Sequence, residues 1–136
     1  HTTNRRQDVG FRAATALFGH LGIEWNLLSV VPIMNSGGRI INISSGMGQL
    51  SDMGSGAIAY RLSKTGLNAL SKVLSNELKA NNISVNTICP GWVKTDMGGT
   101  NATRTVADTV SKIASFALSK DFPNGQFLRD GVVIPW

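Results

Sequence analysis

Short β-branched runs alternate with longer stretches of helical periodicity, and this alternation constrains the fold more than any other sequence feature. Residues 39–45, 83–89 and 126–130 have the composition of strands, and Gly or Pro follows each run closely. Residues 57–80 and 105–117 carry apolar side chains three and four positions apart, which predicts helices. The order strand, helix, strand, helix, strand favours an α/β fold with three neighbouring parallel strands.

Local signals place the ends of these elements. The turn at 35–38 precedes the first strand, which we expect to be buried, and Asn82 suits a left-handed helix cap. Thr105 with Asp108 resembles a capping box, and a last short strand is predicted over 132–134. The long helix is expected to be well covered, since it carries two apolar stripes: Leu67, Leu70, Leu74 and Leu78, and beside them Leu62, Ala69 and Val73. The second helix has one stripe: Val106, Val110, Ile113, Ala114 and Ala117. Upstream, residues 9–21 have a weaker helical pattern, and Pro32 interrupts the apolar stretch 25–34.

Composition narrows the function classes. The 136 residues are 42% hydrophobic and 15% charged, as expected for one globular domain. The net charge of +5 suits an anionic partner, but the basic residues are scattered, so nucleic acid is a weak alternative. No apolar run approaches the roughly 18 residues of a membrane span, and no signal peptide is recognised, so we expect a cytoplasmic protein that binds no membrane. Cys89 is the single cysteine, and we expect it to be a small buried apolar residue.

Tyr60 and Lys64 lie four residues apart near the start of the long helix, so their side chains project from one face. A phenol has an ordinary pKa of about 10, and a nearby ammonium favours the phenolate and brings it into range for proton transfer. Tyr60 is therefore a candidate general acid or base. The alternative is a solvated helix face, on which such a pair has no chemical role.

Two further polar segments follow strands. Ser45 ends the first strand, and Pro90 to Thr95 follows the second, so both are expected at the carboxyl edge of a parallel sheet, where α/β folds bind ligands. Ser45 could hydrogen-bond a substrate oxygen or merely satisfy a local backbone group. Convergence of three polar elements on one edge favours an active site.

These residues resemble the short-chain dehydrogenase/reductase family from about Gly37 to Trp136. The strand Asn42-Ile43-Ser44-Ser45, the Tyr60-Arg61-Leu62-Ser63-Lys64 segment and the Pro90-Gly91 loop are similar to the family's serine strand, Tyr-x-x-x-Lys signature and nicotinamide loop. The segments 90–99, 101–103 and 125–136 are most similar to its carbonyl reductase-like branch.

The resemblance implies an oxidoreductase that interconverts a small-molecule carbonyl and an alcohol with NADP(H), favoured over NAD(H). The implied catalytic residues are Ser45, Tyr60 and Lys64. The implied cofactor-binding residues are Tyr60, Lys64, Pro90, Gly91, Val93 and Thr95, and no metal is implied. Met47, Trp92 and Met97 are candidate pocket walls, with apolar packing as the alternative.

The chain departs from the family in its cofactor loop, since it contains no Gly-x-x-x-Gly-x-Gly segment to hold a pyrophosphate. We therefore expect a partial Rossmann-like, doubly wound parallel sheet that lacks the N-terminal cofactor-binding half. Residues 1–36 are expected to be irregular or partly helical, and 37–136 to be the C-terminal half of the domain. Asn26 has the setting of the family's catalytic Asn but is not assigned.

These expectations leave the activity of the chain open. An N-terminally truncated chain would bind cofactor poorly and expose the edge of the 39–45 strand, an edge that could form a homo-oligomer. The alternative function is thus a non-catalytic paralogue that acts as an oligomerisation or interaction module.

Overall fold

The computed structural model describes residues 31–136, in which a four-stranded sheet carries two helices. The elements are β1 (Arg39–Ile43), α1 (Ile58–Glu77), β2 (Ser84–Ile88), α2 (Val106–Ala117), β3 (Phe127–Arg129) and β4 (Val132–Val133). Three short 3-10 turns accompany them, at Val31–Ile33, Gly46–Gly48 and Leu78–Asn81. The helix predicted at 9–21, Asn26 and most of the segment 25–34 lie outside the described residues.

The sheet has the order β1-β2-β3-β4, with β1, β2 and β3 parallel and β4 antiparallel to β3. The predicted three-stranded parallel core is therefore confirmed. The β1–β2 register runs over five residue pairs, from Arg39 opposite Ser84 to Ile43 opposite Ile88. Asn82 has a φ of 56° and caps the end of the helical segment, as predicted. This register brings the carboxyl ends of the parallel strands to one edge.

The apolar core lies between α1 and the sheet. Leu74 and Leu78 of the helical segment pack against Ile83 and Val85, and Ile40 of β1 joins them. Burial of such side chains contributes about 1.5–3 kcal/mol each. This contact holds the C-terminal part of α1 against the start of β2.

The expectation of a well-covered second stripe on α1 is wrong. Leu62 is 59% exposed, Val73 is 51% exposed, and Ala69 is exposed as well. The buried face of α1 is instead largely polar and includes Ser63, Lys64, Asn68, Ser71 and Ser75. Ser63, Ser71 and Ser75 can be buried because their hydroxyls donate to carbonyl oxygens of α1 itself. Asn42 Nδ2 of β1 in turn donates to Ser71 Oγ at 2.8 Å.

The expectation of a buried β1 is also wrong in part. Asn42 is buried on the α1 side, whereas Ile43 on the other face is 43% exposed. The reason is topological, since β1 is an edge strand of the sheet formed by residues 31–136. The predicted apolar stripe of α2 is likewise exposed at Val106 and Val110, and Thr109 is that helix's buried residue.

Candidate active site

The carboxyl ends of β1, β2 and β3 open onto one cleft of about 950 Å³. Ser45 after β1, Tyr60 of α1 and the segment after β2 all line this cleft, as does Arg129 at the end of β3. The cleft is large enough for a small-molecule ligand. The structure thus brings these four segments of the chain together on one surface.

Tyr60 and Lys64 are neighbours on the buried side of α1. Lys64 Nζ lies 5.7 Å from the centre of the Tyr60 ring, and the lysine is only 8% exposed. The ammonium donates a hydrogen bond of 3.1 Å to the carbonyl oxygen of Ile43, at the end of β1. Burial lowers the pKa of Lys64 below its ordinary value. The positive charge is therefore held beside the ring without a carboxylate to neutralise it within residues 31–136.

The turn Gly46–Gly48 is fastened to α1 on the same side. The carbonyl oxygen of Gly48 accepts hydrogen bonds from Asn68 Nδ2 at 3.0 Å and from Thr65 Oγ1 at 3.2 Å. Ser44 Oγ donates to the carbonyl oxygen of Lys64 at 3.3 Å. A Cβ at Gly48 would lie 2.7 Å from the Lys64 backbone, so only glycine permits this approach. These contacts set the position of Ser45 relative to Tyr60.

The loop that leads into α1 is held by Arg61, which directly follows Tyr60. Its guanidinium donates to the carbonyl oxygens of Gly56 at 3.0 Å and Ser55 at 3.1 Å. Ala57, with a φ of 45°, gives the first turn no side-chain cap. Arg61 therefore helps to orient the helix start, and with it Tyr60.

Ser45 has an extended backbone, and its Oγ accepts a hydrogen bond from the amide of Met47 at 3.2 Å. The local backbone role considered in the sequence analysis is therefore present. A hydroxyl that accepts one bond still has its own proton to donate. Because Ser45 lines the cleft, that proton is available to a ligand oxygen.

The segment after β2 forms one wall of the cleft. Pro90, Gly91, Val93 and Thr95 all line it, and Gly91 adopts a φ of 79° that favours glycine. Thr95 Oγ1 accepts from the amide of Gly98 at 3.1 Å, so the hydroxyl is engaged within its own loop. The predicted wall residues Met47, Trp92 and Met97 also line the cleft.

Sequence reasoning missed two arginines and the contacts of Cys89. Arg104 forms a bidentate ion pair with Asp130, with both N–O distances at 2.6 Å. This pairing holds the pKa of the Asp130 carboxyl below its ordinary value and raises the pKa of Arg104.

Arg129 could have been found, because it ends the third parallel strand as Ser45 follows the first. Cys89 is buried, as expected, but its Sγ also accepts hydrogen bonds from the amide of Gly46 and from Arg129.

Two negative findings hold for residues 31–136. No group of three or more His, Cys, Asp or Glu side chains lies together as a metal site would require. No helix there is long and apolar enough to cross a membrane.

Comparison with known proteins identifies the class. The family described as short chain dehydrogenase matches residues 14–105, which is more than half of the chain. The chain therefore belongs to the short-chain dehydrogenase family, and its α/β fold is the partial Rossmann-like sheet expected from the sequence. The matched region begins upstream of Gly37, at which the resemblance described in the sequence begins.

Carbonyl reductases are among the similar curated proteins. Carbonyl reductase (NADPH) 3 of Rattus norvegicus is 41% identical over 85 residues, which cover 57% of this chain and 31% of that protein. The C-signal protein of Myxococcus xanthus is 34% identical over 101 residues, which cover 72% of this chain and 61% of that protein. The chain thus spans about a third of the length of the carbonyl reductases that it matches.

Solved structures agree with this assignment. Carbonyl reductase Sniffer of D. melanogaster superposes with a TM-score of 0.68 at 39% identity, covering 72% of this chain and 41% of that one. The NADPH-bound carbonyl reductase from chicken fatty liver gives a TM-score of 0.64 at 36% identity, covering 72% and 42%. Both of these structures are carbonyl reductases, and the structural likeness extends over most of this chain.

Proposed function

We propose that the cleft is the proton-transfer site of an NADP(H)-dependent oxidoreductase that interconverts a carbonyl and an alcohol. The observation that carries the proposal is the placement of Lys64 Nζ, 5.7 Å from the Tyr60 ring centre in a cleft that Ser45 also lines. The carbonyl reductases among the relatives support the reaction class. We also propose that residues 37–136 are the C-terminal half of the short-chain dehydrogenase/reductase domain and carry this site.

In the proposed reaction, the Tyr60 hydroxyl donates its proton to the substrate carbonyl oxygen. The Ser45 hydroxyl donates a hydrogen bond to the same oxygen, which polarises the carbonyl. The Lys64 ammonium stabilises the phenolate that forms, since a positive charge favours the ionised phenol. NADPH, when bound, would supply the hydride for the carbonyl carbon. Alcohol oxidation is the reverse, with the Tyr60 phenolate as base.

Residues 31–136 fit one end of the cofactor better than the other. Lys64 has one acceptor, Ile43, among these residues, and an ammonium has three donors, so it can also bind a ribose hydroxyl. Pro90, Gly91, Val93 and Thr95 would bound the nicotinamide. The 136-residue sequence has no Gly-x-x-x-Gly-x-Gly loop for the pyrophosphate, so we expect these residues alone to bind NADP(H) weakly.

The test is Tyr60→Phe, which removes the hydroxyl and keeps the ring. We expect NADPH-dependent reduction of an aromatic aldehyde to fall by about 10²- to 10⁴-fold, the usual contribution of a general acid, with circular dichroism unchanged. Phe116→Tyr, at a partly buried ring of α2 that does not line the cleft, is the control for aromatic exchange. A Tyr60→Phe protein with full activity would refute the role of Tyr60.

A second candidate function is supported by the edge position of β1. Its outer edge has no partner strand in the sheet of residues 31–136, and the exposed Ile43 adds apolar surface beside it. Such an edge can pair with a second copy of the chain. The chain would then act as an oligomerisation or interaction module.

A further inference from the structure

Arg129 places an incompletely paired positive charge in the cleft. Its Nε donates to Cys89 Sγ at 3.4 Å, and its Nη2 donates to Gln49 Oε1 at 3.5 Å. The Gln49 contact is long for an oxygen acceptor, both acceptors are uncharged, and a guanidinium has five N–H donors. Nη1 makes no hydrogen bond to another of residues 31–136, and no carboxylate in that range pairs with Arg129.

Arg104 lines the same cleft but is fully paired with a carboxylate. Its two terminal nitrogens each meet an Asp130 oxygen at 2.6 Å. Arg104 therefore has its counter-ion, and Arg129 does not within the same part of the chain. A partly buried charge is costly unless it is paired, so Arg129 is the group with unused capacity for an anion.

The contacts of Arg129 place its guanidinium at the end of the cleft that Ser45 lines. A Cβ at Gly46 would lie 2.5 Å from Arg129 Nη2, so the guanidinium rests against the residue next to Ser45. Cys89 Sγ accepts hydrogen bonds both from the Gly46 amide, at 3.1 Å, and from Arg129 Nε. These contacts hold the guanidinium against the residue that follows Ser45, and both Ser45 and Arg129 line the cleft.

We propose that Arg129 is a specificity-determining residue that binds an oxyanion, the carboxylate of a carbonyl substrate. This inference rests on the proposed function, because it places the carbonyl at Ser45 and Tyr60 and the carboxylate at Arg129. A planar guanidinium matches a carboxylate through two parallel hydrogen bonds. The preferred substrates are then aldehydes or ketones that also carry a carboxylate.

The experiment compares 4-carboxybenzaldehyde with its uncharged analogue methyl 4-formylbenzoate. Binding of each to the 136-residue chain is followed by tryptophan fluorescence, since Trp92 lines the cleft. We expect the acid to bind at least about tenfold more tightly than the ester, as one charge-assisted hydrogen bond would give. R129Q should remove that preference and leave ester binding unchanged, and R129K should retain part of it. K120Q removes the same charge at an exposed site outside the cleft and should have no effect.

Several outcomes would overturn the inference. Equal binding of the two aldehydes to the wild-type chain would overturn it. An R129Q chain that still prefers the acid would also overturn it. If R129Q instead weakens NADPH binding about tenfold and leaves the acid-to-ester ratio unchanged, the anion is a cofactor phosphate and the substrate assignment is wrong. Turnover is scored separately at a concentration of NADPH that saturates the chain: failure to reduce either aldehyde there refutes the proposed function, while the binding ratio still tests Arg129.

Discussion

At the scale of single residues, the geometry of the site depends on how closely the turn after β1 approaches α1. Gly48 makes that approach, and its carbonyl oxygen receives the Asn68 and Thr65 side chains. Lys64, on the same helix face, reaches back to the carbonyl oxygen of Ile43. The position of the turn after β1 and the position of the Lys64 charge thus depend on a few neighbouring hydrogen bonds.

Gly48→Ala should separate the turn from the helix. The added Cβ would lie 2.7 Å from the Lys64 backbone carbon, and overpacking of this kind costs about 1–3 kcal/mol. Urea denaturation measures the change in the free energy of unfolding. Asn76→Ser, an exchange between residues of similar helix propensity at an exposed position of α1, should change it by less than about 0.5 kcal/mol. Equal effects of the two substitutions would contradict the tight contact.

Lys64 should make stability depend on pH in the alkaline range. Because burial lowers its pKa in the folded protein, the unfolded chain binds the proton more strongly between that lowered pKa and 10.5. Stability relative to Lys64→Met should therefore rise as the pH increases through this window. Urea denaturation of both proteins at a series of pH values measures the difference. A difference that stays constant with pH, or falls, would argue against a buried ammonium.

At the scale of elements, the segment from Pro90 to Arg104 is tied to the sheet at its far end. The backbone of Arg104 bridges to Val93, and its side chain pairs with Asp130 after β3. This ion pair joins the cleft wall to the turn between β3 and β4. The wall is therefore held by one electrostatic contact as well as by its own backbone bonds.

A double-mutant cycle with Arg104→Gln and Asp130→Asn should measure a coupling of about 0.5–1 kcal/mol, since the pair is partly solvated. The pairing lowers the pKa of Asp130, so the coupling is complete above the ordinary value of 3.8 and is lost as the pH falls through the lower folded value. The exposed Lys112–Asp108 pair, one turn apart on α2, is the comparison and should give about 0.3–0.5 kcal/mol. Absence of coupling at about pH 7 would show that the wall is held without the ion pair.

The sequence predicted the features of these elements that depend on neighbouring residues. Asn82 adopts the left-handed conformation, and Thr105 Oγ1 accepts from the amide of Asp108 at 3.1 Å, both as local chemistry requires. The exposure of Leu62 and the pairing of Arg104 with Asp130 could not be predicted in this way. Each depends on which chain segments lie alongside, and helical periodicity does not report that.

At the scale of the whole molecule, the two edges of the described sheet differ. The edge at β1 is five residues long, whereas β4 is a two-residue strand. Short edges pair poorly with other chains, and longer edges with apolar flanks pair readily. Self-association of the chain is therefore expected at β1.

Ile43→Lys should weaken that self-association, because a charge next to a strand edge opposes pairing. Sedimentation velocity over a range of concentrations should show a shift towards monomer. Val133→Lys places the same charge on the exposed face of the β4 edge and should leave the distribution unchanged. If Val133→Lys alone produces monomer, the interface lies at the other edge.

Ser45, Tyr60 and Lys64 fall within twenty consecutive residues, and Gly48 joins the two ends of that stretch. Genetic recombination could therefore transfer the three side chains in one exchange, with their mutual geometry intact. The proposed acid–base chemistry would be inherited as a block, while the segments that choose the substrate could be replaced around it.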